Sequence, residues 1–148
     1  MELKLRKAES RDTPTLRIIK QQALENSLSN HAESTEYADQ VTRDHHLKEK
    51  IQNPQHEVLV AETPVTSVGF LIYDRDQNQI TDIHVAPNHQ RKGAGTELLN
   101  HLEKTLDTGT IQVDTPEPAA EFFRKQGFME QNHQETEVVD HVLLEKST

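Results

Sequence analysis

Apolar positions along the chain fall into blocks with two different periods. Leu3, Leu5 and Ala8 alternate with charged residues and predict a short first strand. Thr13 and Pro14 then supply an N-cap and a proline for a first helical turn. Leu16, Ile19, Ala23 and Leu24 follow at helical spacing, so a helix is expected over residues 13–28. Residues 29–57 are the most polar stretch. Within them Tyr37, Val41, Leu47 and Ile51 lie on one broad helical stripe and predict a second helix ending near Asn53 and Pro54.

From His56 the period changes to two. Residues 56–61 and 68–73 read as strands joined by a hairpin around Thr63, Pro64 and Val65. After a polar turn over 74–78, residues 80–85 alternate as a third strand. Leu98, Leu99, Leu102 and Leu106 form one helix face closed by Gly109, and Ile111 and Val113 belong to the strand beyond it. A helix between two strands brings them parallel by a right-handed crossover. Pro116, Glu117 and Pro118 open a further helix carrying Ala119, Phe122 and Phe123, with Gly127 at its end. Residues 138–145 read as a last strand. The order is βααβββαβα and then one or two strands, a mixed α/β (α+β) sheet with helices covering it.

Composition bounds this picture. The 148 residues contain no repeat and no linker, so a single domain over 1–148 is expected. Only 32% are hydrophobic and 4% aromatic, which raises the question of whether a core exists at all. The apolar residues gather in the strands from Val58 to Val85, the Leu98–Leu106 face and the last strand, and that concentration answers it. No run approaches the ~18–20 apolar residues of a membrane helix. The start, Met1 to Lys7, is too charged for a secretory signal, which favours the cytoplasm. The chain has no cysteine, which removes thiolate chemistry and disulfides. The sum of 16 Lys and Arg against 25 Asp and Glu is −9, a poor balance for nucleic acid.

One segment runs against that charge. From Ala86 to Thr96 there is no acidic residue, while Arg91 and Lys92 add positive charge beside Gly93 and Gly95. The segment leaves a strand and enters a helix, whose first N–H groups and dipole suit a phosphate. Two sharper phosphate motifs do not fit: Lys92 precedes the glycine that it follows in the ATP-type loop, and Leu98 stands where the dinucleotide fingerprint has its third glycine. A plain strand-to-helix turn in a different α/β binding domain stays open as a reading.

Gln90-x-x-Gly93-x-Gly95, preceded by Val85-x-Pro87 and leading into Leu98 and Leu99, resembles the acetyl-CoA loop of the GCN5-related N-acetyltransferases (GNAT). Ala119 to Phe128 is similar to that family's Ala-x-x-Phe-Tyr-x-x-x-Gly-Phe segment, and the order of elements agrees from Leu3 to Glu145. The resemblance implies a GNAT fold: a mostly antiparallel sheet with a central, splayed parallel pair and helices on both faces. It implies acetyl-CoA as co-substrate, with its pantetheine arm between the strand ending at Val85 and the strand of Ile111–Val113. Backbone groups of Ile83 and Val85 would bond the pantetheine and the acetyl carbonyl. Gln90 and the loop from Arg91, Lys92, Gly93, Ala94 and Gly95 to Thr96 would hold the diphosphate, and Phe123 would sit at the cofactor. The implied activity is acetyl transfer to a primary amine, whether a small amine, an amino acid or a peptide or protein amine.

Two departures accompany it. The family's tyrosine, the usual acid, is Phe123 here, and the usual glutamate base is Gln79. His84, Asp82 and Tyr37 are the candidate catalytic residues in their place; histidine is the side chain that ordinarily changes charge near neutrality. Tyr73 is expected to pack. These departures keep a second reading open, a catalytically silent acyl-CoA-binding or interaction module. Glu33, Glu36, Asp39, Asp44, Glu130, Glu135 and Glu137 gather where the fold places its acceptor, which favours a cationic amine. No metal is expected: His45 and His46 are adjacent and point ~100° apart on a helix. Neither nucleic acid nor membrane is an expected partner, and a homodimer is left open.

Overall fold

The computed structural model describes residues 3–27, 46–106, 109–134 and 141–147. Seven strands are described: β1 (Lys4–Lys7), β2 (His56–Glu62), β3 (Ser67–Asp74), β4 (Gln79–Val85), β5 (Thr110–Pro116), β6 (Met129–Gln134) and β7 (His141–Ser147). The helices are α1 (Thr13–Ser27), α2 (His46–Gln52), α3 (Ala94–Thr105) and α4 (Glu117–Lys125). The strands form one sheet in the order β1-β2-β3-β4-β5-β7-β6, in which β4 and β5 are parallel and the other neighbours antiparallel.

Strand alternation builds two cores from the same residues. In β2, Val58 and Val60 face one side and Leu59 and Ala61 the other; in β3, Phe70 and Ile72 oppose Leu71 and Tyr73. Leu16 and Ile19 of α1 and Leu47 of α2 cover the first side. Leu98, Leu99 and Leu102 of α3, with Ala120 and Phe123 of α4, cover the second. The central strands are therefore buried on both faces, which is why a sequence of modest apolar content holds a core.

Three boundaries and one alternation differ from the sequence expectation. Pro116, expected to open a helix, ends β5 instead, and the helix starts at Glu117. Helix α3 ends at Thr105, with Leu106 its extended C-cap, so Gly109 lies beyond the helix rather than at its end. The last strand runs on to Ser147; residues 138–140, its expected start, lie outside the described residues. The alternation of β4 is also broken. Ile72 pairs with Asp82 and Tyr73 with Ile80, leaving Thr81 as an extra residue. This bulge reverses the faces. Ile80 points into the α3 core, yet Asp82 and His84 point to the α1 and α2 side, where unbroken alternation would have put all three together.

Candidate active site

The bulge lies where β4 leaves its parallel neighbour. Pairing of β4 with β5 covers Gln79 to Gln112 and Ile80 to Val113 and goes no further, while β5 pairs with β7 along its whole length. Past Ile80 the two strands splay. The Ala86 N–H donates to the Val68 carbonyl at 2.8 Å. Antiparallel alternation then turns His84 and Ala86 toward β3, and the backbone groups of Ile83 and Val85 into the opening. An extended chain with amides along it could add to that edge as a strand does. Gln90 does not reach outward: its Nε2 donates to the Val85 carbonyl at 3.0 Å and ties the loop to the strand end.

Beyond Val85 the backbone makes a 3-10 turn over Pro87–His89 and then enters α3 through two left-handed residues, Arg91 (φ 62°) and Gly93 (φ 92°). The first helical bond runs from the Glu97 N–H to the Gly93 carbonyl at 2.9 Å, and no side chain caps the helix. The N–H groups of Ala94, Gly95 and Thr96 thus have no partner within the helix, at the positive end of its dipole. A Cβ added at Gly93 would meet nothing within 4 Å, so this face of the loop is open. Gly95 has the opposite constraint: a Cβ there would come to 3.2 Å from the Phe122 ring, so glycine lets α3 lie close on α4. Gln126 Nε2 donates to Thr96 Oγ1 at 3.2 Å, leaving the hydroxyl proton free to point elsewhere. Arg91 and Lys92 are exposed beside these groups. Unpaired N–H donors, two cations and an open surface fit a diphosphate.

On the α1 and α2 side of the splay lies a buried charge cluster. Asp82, its side chain 8% exposed, takes Lys20 of α1 on Oδ1 at 3.0 Å and Lys50 of α2 on Oδ2 at 3.7 Å. His84 Nε2 lies 3.3 Å from the same Oδ1, and its ring packs against Phe70 at 5.5 Å between centroids. Burial pushes the Asp82 carboxyl up, but the hydrogen bond from His84 and the charges of Lys20 and Lys50 outweigh it and hold it well below the usual carboxylate range. The sequence reading brought Asp82 and His84 together and missed both lysines. Lys20 stands four residues after buried Leu16 and so borders the apolar stripe of α1, but that placement does not name its partner.

The remaining candidates separate. Phe123 is 1% exposed, with its ring edge-on to both Phe122 and Phe128. Tyr73 is 3% exposed in the α3 core and its hydroxyl donates to Asn78 at 3.1 Å, the packing role expected of it. Gln79 opens β4 opposite Gln112. Tyr37, Glu33, Glu36, Asp39, Asp44, Glu135 and Glu137 lie outside the described residues. Among the described residues no three His, Asp or Glu side chains group as metal ligands, and no helix is long and apolar enough to cross a membrane.

This architecture recurs in solved structures. A GCN5-related N-acetyltransferase from Rhodopseudomonas palustris superposes with a TM-score of 0.85 at 21% identity, covering 100% of this chain and 97% of the other. The PaiA N-acetyltransferase of Thermoplasma acidophilum, solved in complex with coenzyme A, gives 0.84 at 20% identity over 100% of both chains. YncA of Salmonella typhimurium, a putative acetyltransferase solved with its cofactor acetyl-CoA, gives 0.69 at 17%, covering 99% and 94%. No curated protein matches this sequence. Residues 16–146 match the acetyltransferase (GNAT) domain family, and the chain belongs to that family of acetyltransferases.

Proposed function

We propose that the chain transfers the acetyl group of acetyl-CoA to a primary amine. The observation that carries this reading is the opening past Ile80, where the backbone groups of Ile83 and Val85 face a gap that ends on the uncapped start of α3. A pantetheine arm has amides for the first, and the diphosphate has oxygens for the second. In the reaction the amine nitrogen forms a bond to the acetyl carbon, the carbon–sulfur bond breaks, and CoA leaves as a thiolate. A strand N–H in the gap supports the developing oxyanion. A primary ammonium has an ordinary pKa of about 10, so the nucleophile must first give up a proton.

His84 is the proton acceptor in this reading and Asp82 its positioning partner. A carboxylate held ionised by two lysines is a poor base, but it is a good acceptor for an imidazole N–H. Phe123 has no proton to offer, so the thiolate takes one from water. His84→Gln keeps a hydrogen-bonding side chain and removes the base. It is expected to lower kcat about 100-fold or more, with the KM for acetyl-CoA little changed. Steady-state assays with acetyl-CoA varied at a fixed amine concentration check this.

Phe123 and Gln79 favour the second reading, a chain that binds acyl-CoA without turning it over. Free-thiol release with a panel of amines separates the two. Amine-dependent thiol release supports transfer; calorimetric binding of acetyl-CoA without thiol release supports the silent module.

A further inference from the structure

The charge cluster contains more cation than its place in the fold requires. Among the described residues Asp82 is the one carboxylate within ion-pair distance of either Lys20 or Lys50. Among the described residues, two ammonium groups against one carboxylate leave a positive charge on this side of β4, in a chain whose total is −9. Burying an unbalanced charge is costly unless a counter-charge completes it. The two lysines are not equivalent. Lys20 sits at hydrogen-bond distance from Oδ1 and is 18% exposed, whereas Lys50 stands 3.7 Å from Oδ2 and is 29% exposed. That distance is beyond a hydrogen bond, so the donors of the Lys50 ammonium are not used up by Asp82.

We propose that Lys50, supported by Lys20, receives a carboxylate of the acceptor, so that the amine acetylated here is of the amino-acid kind. This rests on the acetyl-transfer reading and deepens it. Lys20 Nζ and His84 Nε2 share one oxygen, Asp82 Oδ1, at 3.0 and 3.3 Å. With Nε2 turned to Asp82, the ring offers Nδ1 to the amine, and the width of one imidazole then separates that amine from the carboxylate that holds the ammonium groups, within reach of a substituent on the neighbouring carbon. An amino acid carries amine and carboxylate on one carbon, which matches that short separation. Asp82 then has two tasks: it orients His84 and it fixes the lysines at the spacing the acceptor needs.

The test uses the full chain, acetyl-CoA, the common amino acids and the primary amide of each. The amide removes the negative charge at nearly constant shape. Its amine is also the less basic, hence the more readily deprotonated, so a preference for the acid does not come from amine reactivity. The best acid–amide pair is expected to show kcat/KM at least 10-fold higher for the acid. Lys50→Met brings that ratio to about one by loss on the acid alone, and Lys50→Arg, which keeps the charge, retains the preference. A ratio at or below one in the unaltered chain, or an unchanged ratio in Lys50→Met, overturns the proposal and leaves Lys50 as a structural partner of Asp82. If no amine at all is acetylated, the acetyl-transfer reading fails instead. Calorimetry of the CoA-loaded chain with an N-acetylated amino acid and its amide then still decides this one. Tighter binding of the acid, lost in Lys50→Met, supports the site; equal binding overturns it.

Discussion

Gly93→Glu is expected to weaken acetyl-CoA binding about 100-fold or more, measured by calorimetry, which is about 2.8 kcal/mol at 1.4 kcal/mol per decade. Two effects are separable here. A side chain at φ 92° costs about 1 kcal/mol of stability relative to glycine, but that cost is present with and without ligand. The affinity loss has another origin. The new side chain projects into the open face of the loop, where a Cβ meets nothing within 4 Å, and carries a carboxylate to the unpaired N–H groups of Ala94 to Thr96. It competes for the donors and repels the diphosphate. Gly93→Ala is the control: it keeps the strain, adds no charge, and is expected to lower the melting temperature slightly while changing affinity by less than about 3-fold.

Asp82→Asn has the largest expected effect on the fold and a large one on the reaction. The amide is the same size, so packing is kept, while Lys20 and Lys50 lose their counter-charge. Breaking a buried pair from one side costs about 3–5 kcal/mol, and the partial exposure of both lysines places this case near the lower end. The loss is read in denaturant unfolding. The pH dependence carries a definite sign. Asp82 in the folded chain sits below its ordinary value, so its contribution is complete above the range where a free aspartate titrates and is lost as pH falls through and below it. The unaltered chain should therefore lose stability on acidification more steeply than Asp82→Asn. In turnover, His84 loses its fixed acceptor, and kcat is expected to fall by at least about 10-fold with little change in the KM for acetyl-CoA. An Asn variant as stable as the unaltered chain would mean that the cluster is not closed in solution.

The parts of this site that are local in sequence were the legible ones. Val85, Gly93 and Gly95 announce the strand end and the helix start because one strand, one turn and one helix need those residues in that order. Helices on both faces were expected from the family resemblance, and the unbroken apolar runs of β2 and β3 are what such two-sided burial requires. The bulge at Thr81 was not, since one extra residue among Ile80, Thr81, Asp82 and Ile83 leaves a pattern that still alternates; only the register against Ile72 and Tyr73 exposes it. Lys20 and Lys50 were hidden for a related reason. Nothing near either residue tells of a carboxylate on a strand that follows 62 and 32 positions later. Gln90 belongs with the family loop by its position, but its side chain is spent inside, on the Val85 carbonyl.

The central claim is that acetyl-CoA lies in the opening between β4 and β5 with its diphosphate on the start of α3. A crystal structure of the chain grown with acetyl-CoA tests it most directly. The diphosphate oxygens are expected on the backbone N–H groups between Arg91 and Thr96. The pantetheine amides and thioester carbonyl are expected along Ile83 and Val85, with His84 on the open side of the acetyl group. A diphosphate bound anywhere else, or a gap between Ile83 and β5 that stays free of the pantetheine arm, would contradict it.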